Sequence, residues 1–125
     1  MMKILGVDYG RSKIGLARAE GPLAEPFKVI KVNSFDDAVQ KLKREIEIEK
    51  ADKIVVGVSE GAMGEESKEF AKAFGADIFD ETLSTYEAQE KSIQGGIGRK
   101  KRREMEDAYA ATVMLQNYLD LRQDG

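Results

Sequence analysis

Four carboxylates occupy positions where their chemistry could be put to use. In KILGVDYG, residues 3–10, Asp8 extends an apolar run of Ile4, Leu5, Gly6 and Val7 that reads as a buried strand. In EMEDAYAATVMLQNYL, Asp107 precedes Ala111 by four residues and Met114 by seven. That spacing predicts that Asp107 shares their inward helical stripe, with Leu115 and Tyr118. Glu81, in DIFDETLST, stands beside Asp80 at the end of a short strand and just before a helix. Glu60 stands just past the apolar run KIVVGV, after Ser59. Function in open α/β sheets gathers at such strand ends. Acids converging from different elements could hold Mg²⁺, whose octahedral shell accepts carboxylates, waters and substrate phosphate oxygens. Two such ions, roughly 3.5–4 Å apart, activate a water and stabilise the leaving oxygen of a phosphodiester.

Each acid also has a plainer account. Asp8 at a strand end serves equally as a turn or cap residue. Asp107, early in its helix, is favoured there by the helix dipole. Asp80 can bond backbone amides at its turn, and Glu60 and Glu81 can simply face solvent from loops. Against this, a buried carboxylate without a partner costs several kcal/mol, so an inward Asp8 or Asp107 calls for a cation.

Composition narrows the cations available. The chain has 125 residues, a net charge of −3, no Cys and no His. Disulfides and thiolate or imidazole metal sites are therefore excluded, which leaves oxygen ligands and favours Mg²⁺ or Mn²⁺ or Ca²⁺ over zinc. No apolar stretch approaches the roughly 18 residues of a membrane helix, so the expected place is the cytoplasm, away from membranes. The overall acidity argues against a general polyanion binder. Arg99, Lys100, Lys101, Arg102 and Arg103, however, form an unbroken cationic run. That run reads either as a solvated face or as a phosphate contact, and keeps nucleic acid in view.

The elements that must position these groups follow from periodicity. Strands are expected at residues 3–9, 13–19 and 27–32, the first two joined as a hairpin through Gly10-Arg11-Ser12 and the third set off by Pro22 and Pro26. Ser34 and Asp37 resemble a capping box opening a helix to about Lys50. KIVVGV, 53–58, is a β-branched run suited to a central parallel strand. Gly61 and Gly64 mark a loop, a helix ends near Gly75, and 76–81 is a further strand. Ser84 and Glu87 open a helix to about Ile93, a glycine loop and the basic run follow, and a last helix spans about 104–121. The order βββαβαβαα, in one domain over residues 1–125, implies an α/β fold with a mixed sheet flanked by helices, of the ribonuclease H-like type.

On these residues the chain resembles the YqgF/RuvX family, ribonuclease H-fold nucleases of 16S rRNA precursors related to Holliday junction resolvases. ILGVDYGRSKIGLA is similar to the family's opening, IVVGVSEGAMG to its second core segment, DETLSTYEAQ to its Asp-Glu-Arg-Leu motif and EDAYAATVMLQNYL to its closing helix. Thr82 stands where the family usually carries Arg. The resemblance implies that Asp8, Glu81 and Asp107 are the metal-binding catalytic acids, with Glu60 as a substitute ligand, using Mg²⁺ or Mn²⁺. It implies a metal-dependent nuclease acting on structured RNA near the 5′ end of pre-16S rRNA, with ribosomal particles as partners, as monomer or homodimer. Arg11, Lys13 and the 99–103 run would contact phosphates. Branched DNA as the substrate, and a module that grips RNA without cutting it, are the alternative readings.

Overall fold

The computed structural model describes residues 2–58, 61–80 and 105–123. Its centre is β1 (Ile4–Asp8), flanked by β2 (Lys13–Ala19) on one side and β4 (Lys53–Val58) on the other. With β3 (Ala24–Lys31) and β5 (Asp77–Asp80) they form a five-stranded sheet in the order β3-β2-β1-β4-β5. The β1–β2 and β2–β3 pairs are antiparallel, whereas β1–β4 and β4–β5 are parallel. This is the expected mixed sheet.

Helices α1 (Phe35–Glu49) and α2 (Ala62–Lys72) cover one face, and α3 (Glu106–Gln123) covers the other. Against α1 and α2, the sheet places Leu5, Val7, Tyr9, Ile14, Leu16, Ile54 and Val56, which pack with Leu42 and Phe70. Against α3 it places Ile4, Ala17, Ala19, Val55 and Phe79, which pack with Ala111, Met114 and Leu115. The uninterrupted β4 run is buried on both faces, as a central parallel strand requires.

Local signals set most boundaries. The Asp37 amide donates to Ser34 Oγ at 3.0 Å, and the Asp37 carboxylate accepts from the Asn33 amide at 2.9 Å, so α1 is capped from both directions. Apart from shifts of one or two residues at other ends, two boundaries and one burial pattern differ from the sequence expectation. β3 starts at Ala24 and runs through Pro26, which an edge strand tolerates because its outward N–H needs no partner. α2 starts at Ala62, so Gly64 lies buried inside it, and only Gly61, at φ 93°, interrupts the chain. Finally, α3 is buried from Ala108 through Leu115 on almost every side except Ala110, rather than along one stripe. The helix expected over 84–93 and the glycine loop after it lie outside the described residues.

Candidate active site

Alternation along β1 decides where its acid goes. Leu5, Val7 and Tyr9 turn toward α1 and α2, while Ile4, Gly6 and Asp8 turn toward α3. Small residues let α3 come close on that side. A Cβ on Gly6 would lie 2.9 Å from Leu115 Cβ, too near for an unshifted helix. Farther along, Asp8 is paired with Gly15 of β2 and Gly57 of β4. A Cβ on Gly15 would overlap the Asp107 carbonyl group and lie 2.7 Å from the Ala108 amide nitrogen. The first turn of α3 therefore rests on the very residue that pairs with Asp8. Glycine at position 15 is what brings the ends of β1 and α3 together, and with them the two half-buried acids.

Lys13, at the start of β2, completes this corner. Its Nζ lies 3.2 Å from Asp107 Oδ2, with side chains 50% and 29% exposed respectively. An ammonium thus sits against the carboxylate for which the sequence predicted a cation.

A second cluster braces the β1–β2 turn from the opposite face. The Tyr9 hydroxyl donates to Glu66 Oε2 at 2.7 Å, and Arg11 Nε donates to Glu66 Oε1 at 3.2 Å. Tyr9 also packs on Phe70, with ring centroids 4.6 Å apart. Burial, followed by the neighbouring Glu66 carboxylate, pushes the Tyr9 phenol up to about 12. The hydrogen bond from Tyr9, and then that from Arg11, holds the Glu66 carboxyl below its usual range. The turn carrying Arg11 and leading into Lys13 is consequently tied to α2 as well as to the sheet.

Of the expected site residues, the structure brings together Asp8, Asp107 and Lys13, and places Arg11 on the same turn, held by Glu66. Glu60, Glu81 and the run Arg99, Lys100, Lys101, Arg102 and Arg103 lie outside the described residues, as does Thr82. Among the described residues no three acids gather as a metal cluster. Asp80 ends β5 opposite Val58, exposed. Gly15, Tyr9 and Glu66 were not singled out from sequence. A lone glycine inside the strand KIGLARA is itself a sign of close backbone approach, and could have pointed to the seam. Nothing local links Tyr9 to Glu66.

A five-stranded mixed sheet with its first strand at the centre, two helices on one face and the closing helix on the other, is a ribonuclease H-like architecture. Solved Holliday junction resolvases have this fold. The T. thermophilus RuvC bound to a junction superposes with a TM-score of 0.63 at 13% identity, covering 98% of this chain and 97% of that one. The fowlpox virus resolvase superposes with a TM-score of 0.65 at 14% identity, covering 96% and 99%.

Sequence comparison narrows the class. The family model described as RuvX, Holliday junction resolvase, matches residues 2–121, and the chain belongs to that family. Relatives named as candidate pre-16S rRNA nucleases include one from Carboxydothermus hydrogenoformans, 32% identical over 97% of this chain and 98% of its own length. Another, from Bacillus subtilis, is 33% identical over 95% and 98%.

Proposed function

We propose that this protein is a divalent-metal-dependent nuclease that cleaves structured RNA, and that its substrate is the precursor of 16S rRNA, free or in ribosomal particles. The observation that carries the reading is the Gly15 seam, which brings Asp107 to the end of the strand that ends in Asp8. The donor set there is all oxygen, and a lysine ammonium already rests on one of its carboxylates. Both features suit Mg²⁺ or Mn²⁺, hard cations that bind through one or two carboxylates and fill the remaining shell with water and phosphate. Asp8 and Asp107 would hold the metal, with Glu81 or Glu60 as the third ligand. When bound, it supplies an activated water and charge stabilisation at the leaving oxygen.

The protein's own groups do the rest. Lys13, half-exposed at the site's edge, can meet a phosphate as a point charge, and Arg11, on the same turn, holds its exposed guanidinium on the α2 side against Glu66. Glu66 accepts from Arg11 Nε and limits the side chain's freedom, so less entropy is lost when a phosphate arrives. The 99–103 run would extend this track, making affinity fall steeply with salt.

The test incubates purified protein with Mn²⁺ and, in parallel, a 16S precursor RNA and a four-way DNA junction. The RNA should be cut, and Asp8→Asn and Asp107→Asn should each slow cutting by about 100-fold or more, since even outer-shell changes cost metal sites roughly 10–100-fold. Cutting of the junction alone would transfer the assignment to branched DNA. No cutting, together with no rise in Tm on adding Mn²⁺, would leave a binding module instead.

A further inference from the structure

Arg11 and Lys13 are two cations of one turn, and they are held differently. Arg11 is secured by Glu66, itself tied down by the buried Tyr9. Lys13 has a single ion-pair partner among the described residues, and that partner is Asp107, an acid of the site itself. Its ammonium lies 3.2 Å from Asp107 Oδ2, whereas a Mg²⁺ ion bound through the same oxygen would approach to about 2.0–2.1 Å. Ammonium and metal cannot both keep that oxygen without mutual repulsion. Lysine is suited to moving aside, with a flexible four-carbon stem and donors that can rotate. Here the side chain is half in solvent, within reach of an incoming phosphate.

We infer that Lys13 is an internal counter-cation that occupies Asp107 until nucleic acid draws it away, so that metal and nucleic acid bind cooperatively. This rests on the metal-site reading above. A phosphate that takes up the Lys13 ammonium exposes Asp107 to the metal, and a metal on Asp107 releases Lys13 to the phosphate. By linkage the two couplings are equal. Lys13 is thus a positioning residue that restrains metal loading when substrate is absent.

The test is a set of Mn²⁺ titrations, followed by the electron paramagnetic resonance of free Mn²⁺, with and without a short 2′-O-methyl RNA duplex. Wild type is compared with Lys13→Met, with Asp107→Asn, and with Lys31→Met, which removes the same charge from the β3 position paired with Lys13. Without duplex, Lys13→Met should bind Mn²⁺ about fivefold more tightly than wild type, the upper end for a solvent-facing ion pair. The gain in Mn²⁺ affinity on adding duplex should shrink by the same factor. Lys31→Met should leave that gain unchanged. If Asp107→Asn weakens Mn²⁺ binding but Lys13→Met changes neither affinity nor coupling, this inference fails while the metal site stands. An equal loss of coupling in Lys31→Met would also overturn it, as an effect of general charge. If Asp107→Asn binds Mn²⁺ as well as wild type does, the site reading fails and the inference with it.

Discussion

The two faces of the sheet are built from different residues for different ends. Toward α1 and α2 the strands present Leu5, Val7, Ile14, Leu16 and Val56, all fully buried against Leu42 and Phe70. Toward α3 the same strands present Gly6, Gly15, Ala17 and Ala19, and the helix lies almost on the backbone. The first face excludes water by volume, which is the usual source of stability. The second accepts less side-chain volume in return for proximity, and its closest approach falls at Asp107 and the partner of Asp8. Large side chains at positions 6 and 15 would lift α3 away and separate the acids. Stability and the proposed catalytic geometry therefore fall on opposite faces of one sheet.

Substitutions can break this division in opposite ways. Leu42→Ala, on the packed face, should cost about 2–5 kcal/mol by chemical denaturation, because a fully buried leucine leaves a cavity. Its cleavage rate, measured well below its own Tm, should stay near that of wild type. Gly15→Ala, on the α3 face, should cost less stability, about 1–3 kcal/mol from overpacking. It should nonetheless lose far more activity and Mn²⁺ affinity than Leu42→Ala, because the methyl group meets the backbone of Asp107. Equal loss of activity per unit of stability in the two variants would dissolve the comparison.

The smallest effect separates the braced turn from both faces. Tyr9→Phe should cost about 1 kcal/mol at neutral pH through loss of its hydrogen bond to Glu66. The sign of its pH dependence follows from the direction of the shift. Folding raises the phenol's pKa from its ordinary value near 10 to about 12, so the folded state retains a proton that the unfolded state gives up. The contribution is present in full below about pH 10 and disappears as pH rises toward 12. Melting temperatures taken across that window should therefore decline more steeply for wild type than for Tyr9→Phe. Parallel curves would show that Tyr9 is not shielded in this way.

Much of the architecture was legible in the chain, and particular residues show why. Period-two alternation placed Asp8 with Ile4 and Gly6, and the structure turns that set toward α3. The Ser34–Asp37 pair marked the start of α1, and the β-branched run 53–58 matched β4 at both ends. Errors arose where a local signal had a tertiary answer. Pro26 reads as a breaker until β3 is known to be an edge strand, and Gly64 reads as a loop until α2 buries it. For α3, a helical period of apolar residues could not reveal that packing against the sheet would bury it on most sides.

Side-chain chemistry and period alone set the order of the described elements, the lack of sulfur and imidazole ligands, and the strand face on which Asp8 lies. These depend on side-chain period and residue chemistry, which act over a few neighbouring positions. The assembled fold alone settles that Asp107 comes to the end of β1, that Lys13 is the cation against Asp107, and that Glu66 holds Arg11. Those contacts join residues far apart in the chain. The first two exist because β1 and β2 carry glycine where α3 needs to lie close, the third because Tyr9 and Arg11 meet α2 at Glu66, and no local pattern encodes which helix will serve.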